Sequence, residues 1–185
     1  MTKLNRFFSI SLIISALLLL ISNANALQAG NYIFDQKDSK VEFKIKNLGF
    51  MNVSGKFNIF KGNLKLSDNF LNSKIEGIVE TSSIDTDSES RDKHLKSEDF
   101  FEVAKYPNMK FVGKNLTGEQ MNFKVTGDLT IKGITKSVTF SGIKSDDQDK
   151  FQISCIINRK EFNIIYGSFI SDEVQIILNL QPIKN

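Results

Sequence analysis

Along Lys40–Lys46 apolar and polar side chains alternate, with Val41, Phe43 and Ile45 on one side and Glu42, Lys44 and Lys46 on the other. That is the pattern of a strand with one dry face and one wet face. The same period of two predicts strands at Asn31–Phe34, Met51–Phe57, Phe60–Leu66, Lys74–Ser83, Met109–Asn115, Met121–Ile131, Lys136–Lys144, Phe151–Ile157 and Glu173–Leu180. Polar and glycine-bearing breaks separate them. Lys132-Gly133 and Ser145–Asp149 read as hairpin tips, so consecutive strands are expected to pair as antiparallel neighbours in a sandwich or barrel. Ser88–Phe101 interrupts the rhythm and reads as a short helix capped by Asp87 or Ser88, and a second helical turn is expected at Arg159–Ile164.

Residues 1–26 have a different character. Lys3 and Arg6 precede an apolar run from Phe7 to Ile21, and Ala24-Asn25-Ala26 supplies small residues at a cleavage site, so a cleaved secretory leader is expected, with a mature domain over 27–185. The apolar run is shorter than the roughly 20 residues of a membrane span. Secretion to the periplasm follows as the expected location.

Composition adds two constraints. The 185 residues hold 24 Lys+Arg against 21 Asp+Glu, too even a balance for a nucleic-acid binder, so none is expected as a partner. There are 16 Phe and no Trp, an aromatic excess suited to strands and a greasy interior. Cys155 is the single cysteine, which excludes an internal disulfide; it shares a strand face with Phe151, Ile153 and Ile157 and reads as a buried, inert thiol.

Chemistry-bearing patterns are sparse. His94 is the one histidine, so a His/Cys zinc site cannot be assembled, and Tyr166–Ile170 lacks the closing Gly of a Gly-x-Ser-x-Gly elbow. The run from Asp85 resembles a calcium loop at its start and fails at Ser90 and Lys96, where Gly and Glu are required. No catalytic residue, metal or cofactor is expected. Lys132, Lys136 and Lys144 read as a solvated face.

The remaining signal is the inward apolar rows: Phe43, Ile45, Phe57, Val79, Phe123, Phe140, Phe151, Ile153, Cys155, Ile176 and Leu178 on strands, joined by Phe100, Phe101 and Phe162 from irregular segments. A barrel of about eight strands either fills with such side chains or encloses one small ligand. On residues alone, a filled core acting through its outer surface, as a stress or interaction module, and a hollow bore stand level.

Ser83–Thr86, Arg91–Leu95, Asp99–Val103 and Tyr106–Phe111 together resemble the signature of the YceI family of secreted bacterial proteins, and Gly127–Lys136 resembles its second signature. The resemblance implies an all-β fold: an extended eight-stranded antiparallel lipocalin-like β-barrel with one or two short helices. It also implies an elongated cavity for a polyisoprenoid, a quinone-like or fatty-acid-like lipid, or another long-chain amphiphile, with no enzymatic activity. With that resemblance, the fourteen inward residues become the expected tunnel wall, and Arg91, His94 and Arg159 the candidates for a phosphate or quinone head group. Arg91 has an alternative role, pairing with Asp92, Glu98 or Asp99. Transient membrane contact, as monomer or homodimer, is compatible with such a carrier. Two positions depart from the family pattern: Asn163 stands for its Gly, where Asn tolerates positive φ, and Glu102 stands for its Asp.

Overall fold

A computed structural model describes residues 26–145 and 149–185. The expected leader and the centre of the Ser145–Asp149 tip lie outside the described residues. Twelve strand segments form: β1 (Gly30–Asp35), β2 (Lys40–Asn47), β3 (Met51–Phe57), β4 (Phe60–Leu66), β5 (Lys74–Glu80), β6 (Ile84–Asp85), β7 (Asn108–Glu119), β8 (Asn122–Ile131), β9 (Ile134–Lys144), β10 (Phe151–Asn158), β11 (Ile170–Leu180) and β12 (Ile183–Lys184). All pairings are antiparallel.

The segment count exceeds the eight strands expected because four passes of the chain are bent. β1 and β2 pair with β4 and β3 respectively on one side, and with β12 and β11 on the other. They are therefore two halves of one pass, as are β3–β4, β5–β6 and β11–β12. Counted as passes, the chain makes eight, each bonded to the next, and the last returns to the first. The sheet is a closed antiparallel barrel, which leaves no long open edge.

The bends at residues 36–39, 58–59, 81–83 and 181–182 fall on four neighbouring passes at one level. Local groups satisfy the interrupted ladder there: Ser39 Oγ accepts from Gln181 N at 3.0 Å, Ser83 O from Asn58 N at 3.1 Å, and Ser83 Oγ from Ile59 N at 3.0 Å. The expected strand over Lys74–Ser83 is thus broken by a 3-10 turn at Thr81–Ser83.

Helix α1 (Glu89–Lys96) is shorter than the Ser88–Phe101 expected, and it carries no fully buried side chain. Asp87 takes φ 58°, and the Ser88 side chain makes no capping bond; Asp92 Oδ1 instead accepts from Thr86 N at 3.0 Å and from Thr86 Oγ1 at 2.6 Å. The second helical turn forms as a 3-10 turn over Arg159–Phe162 and ends on Asn163 at φ 58°, so Asn holds the left-handed position expected of it. Glu102 also adopts positive φ, 49°.

Lys144 corrects the reading of a solvated face. It lies on the inward parity of β9 with Phe140 and Gly142, and its side chain is 1% exposed, paired with Asp149 at 2.8 Å. Period two carries it inside at the strand end, where the barrel rim supplies a carboxylate.

Inward rings are seated on glycines. Phe34, Phe43 and Phe123 are the direct cross-strand partners of Gly62, Gly55 and Gly142, and in each pair a Cβ on the glycine would press on the ring. Gly142→Ala is expected to displace Phe123 and to lower stability by about 1–3 kcal/mol. A reduced urea midpoint at unchanged slope would show it.

Candidate functional site

The barrel encloses a cavity of about 260 Å³. Its wall is built by residues of β2, β3, β5, β7, β8, β9, β10 and β11, and its roof by the segment between β6 and β7 through Leu95, Phe100 and Phe101. Ten of the expected tunnel residues line it: Phe43, Ile45, Phe57, Val79, Phe100, Phe101, Phe140, Phe162, Ile176 and Leu178. Neighbouring rings touch, as Phe43 does Phe57 at 5.8 Å between centroids, yet the lining leaves this space between them.

The other four sit elsewhere on the axis. Phe123, Phe151 and Ile153 line a smaller void of about 20 Å³ towards the opposite end, with Phe70 edge-on to Phe123 at 5.6 Å between ring centroids. Cys155 falls between Ile153 of the small void and Ile157 of the large one and borders neither. The reason is register: along one strand, inward residues two apart are displaced along the axis, so a single tunnel list spans two compartments.

Wall residues not singled out beforehand include Met109, Phe111, Leu129, Ile131 and Val174. Their signal was present, because Phe111 and Met109 share a parity on β7, and Leu129 and Ile131 continue the row of Phe123 on β8.

The three candidate head-group residues differ in what their donors do. Arg159 is buried, and each of its five N–H groups faces a backbone carbonyl: Nε to Ser171 at 2.9 Å, Nη1 to Ile164 at 2.6 Å and Tyr166 at 2.8 Å, and Nη2 to Gly167 and Ile170, both at 3.1 Å. Its guanidinium fork is used up in folding the β10–β11 loop, with Asp172 at 3.6 Å balancing the charge. Arg159 also lines the cavity, but with its donors committed to these carbonyls it has no N–H left over for a head group. His94 lies off the cavity wall, with Nε2 at 3.0 Å from Asp99 and its ring edge-to-face with Phe100 and Tyr166 at 5.0 and 4.9 Å. Arg91 does line the cavity. It donates from Nε and Nη2 to Thr86 Oγ1 and O at 2.8 and 2.6 Å, not to the acids weighed for it, and its Nη1 donates to no described residue.

Among the described residues no group of three His, Cys, Asp or Glu side chains could hold a metal ion, and no helix is long and apolar enough to cross a membrane. Burial pushes the Cys155 thiol up to about 12.

A closed antiparallel barrel with one large apolar bore places the molecule among lipocalin-like barrels. The chain belongs to the YceI-like domain family, whose match spans residues 32–181. A UPF0312 protein of Yersinia enterocolitica is 31% identical over 89% of this chain and 92% of its own length. Among solved structures, Burkholderia cenocepacia BcnA superposes with a TM-score of 0.73 at 25% identity, covering 80% of this chain and 98% of that one. A polyisoprenoid-binding domain from Saccharophagus degradans shares the fold at a TM-score of 0.65 and 13% identity, over 85% of this chain and 100% of that one.

Two outcomes follow from this geometry. Arg159→Lys cannot span five carbonyls and should cost at least about 3 kcal/mol, since each charged hydrogen bond lost is worth roughly 1.5–3 kcal/mol; a chemical denaturation curve reads it. Cys155, protonated at neutral pH, should resist a disulfide thiol reagent in the native state and react fully once unfolded by guanidinium.

Proposed function

We propose that this protein binds a long-chain isoprenoid or similar amphiphilic lipid in the barrel bore, and carries or sequesters it in the periplasm. The observation that carries the reading is the unfilled apolar cavity of about 260 Å³. A lipid tail seated in it gains about 0.8 kcal/mol per buried methylene. The family and the polyisoprenoid-binding structural neighbour support the class of ligand. No cofactor chemistry is part of this reading.

Arg91 is the head-group contact in this proposal: of the cavity-lining cations Arg91, Lys110 and Arg159, it is a guanidinium whose Nη1 donates to no described residue, whereas Arg159 has its donors engaged by carbonyls. The tips between β2 and β3 and between β10 and β11 adjoin the same end, joined by Leu48 N donating to Phe169 O at 2.8 Å. They expose Phe50, Ile165 and Phe169 at 76%, 65% and 73%, and a transient meeting with a lipid surface would begin there. The charged and apolar sequence of residues 1–26 supports export.

Native mass spectrometry of protein purified from its own host is expected to show a co-purifying amphiphile. Ile176→Trp, which narrows the bore, is expected to lose it while keeping the wild-type far-ultraviolet spectrum. Protein that arrives empty and takes up no added isoprenoid would end the proposal.

A further inference from the structure

The bore is interrupted. Between the large cavity and the small void stands a partition of two layers. The upper layer is Phe111 and Phe140, edge to face with centroids 5.1 Å apart and planes at 75°, and both line the large cavity. The lower layer is Ile75 and Val125, which line the small void and converge over Gly113, where a Cβ would lie 2.6 Å from Ile75 Cγ2 and 3.0 Å from Val125 Cγ2. Val125 is the direct cross-strand partner of Phe140, so the two lie side by side on the wall, Phe140 bordering the large cavity and Val125 the small void. Phe111 is seated against Gly127, where a Cβ would lie 2.7 Å from its Cζ.

Resting on the isoprenoid reading of the large cavity, we propose that the Phe111–Phe140 pair is the floor of the bore and selects ligands by tail length. A tail entering from the α1 end gains burial with each unit until it meets these two ring edges. Any further unit stays unburied or folds back. The small void below, about 20 Å³, holds little more than one water-sized group and is not itself a compartment for a tail. It is the space into which the floor gives way. Phe140 is the decisive ring: it is 4% exposed and stands beside Val125, which borders the small void, so its removal opens the large cavity towards that void.

The test is native mass spectrometry and competitive displacement with geraniol, farnesol, geranylgeraniol and solanesol, presented from one detergent stock. In the wild type, affinity should rise with length and then level off. In Phe140→Ala the plateau should move to the next longer alcohol, whose affinity over the preceding one rises about tenfold, the ratio given by burying roughly two more methylene equivalents. Adding Ile153→Phe, which refills the lower space, should return the plateau to its wild-type position. Should the alanine variant fail to melt cooperatively, Phe140→Leu serves, with a smaller shift in the same direction. An unchanged plateau in a folded variant overturns the floor while leaving the isoprenoid reading intact. Failure of the wild type to bind any of the four alcohols removes the isoprenoid reading, and the floor with it.

Discussion

The seating of phenylalanine rings on cross-strand glycines is the contact on which the rest depends. An eight-pass barrel rich in Phe would ordinarily close its own centre, because each ring gains from meeting others. Here Phe34, Phe43 and Phe123 each lie against the glycine directly opposite, Gly62, Gly55 and Gly142. A ring laid along the wall buries its area on backbone and leaves the axis free. Replacing the glycine by any other residue would tip the ring inward. On the wall of the large cavity this seating holds Phe43 on Gly55 and Phe111 on Gly127, while Phe34 and Phe123 are seated in the same way around the small void.

The ends of the barrel are closed by different means. At one end Phe70, from a 3-10 turn at Phe70–Asn72, packs on Phe123, which in turn packs on Phe151 at 5.8 Å between centroids. At the other, α1 and the residues after it lie over the bore, and Arg159 gathers five carbonyls of the β10–β11 loop around one guanidinium. A buried cation with every donor engaged makes that loop a fixed rim. α1 is tied down by other means: Arg91 and Asp92 bond to Thr86, and Leu95 O accepts from Phe101 N at 3.0 Å.

Much of this was legible in the sequence because period two is a strong signal when one face is wet. The inward parity of β2, β8 and β10 follows from Val41, Phe123 and Phe151 onward without error. What parity lacks is height along the axis, so Phe123, Phe151 and Ile153 were grouped with a cavity they do not border. Lys144 obeys its parity against its chemistry, and its charge alone points the wrong way, to solvent. Arg159 was legible as a special residue but not as a loop organiser, because its partners are carbonyls, which every residue carries. The cross-strand glycines were equally silent, since a Gly in a strand reads first as a weak point.

A hollow barrel also sets its own thermodynamic terms. The core that remains is a shell of inward side chains one layer thick, and the interior it leaves unfilled contributes nothing to folding until something enters. A ligand bound only to the folded state would add to stability, with the logarithm of its concentration relative to its Kd. Phe111, Phe140, Ile75 and Val125 come from four neighbouring passes, β5, β7, β8 and β9, and belong to or pack against the core. A substitution that changes the length the bore can hold therefore also changes the packing of that wall.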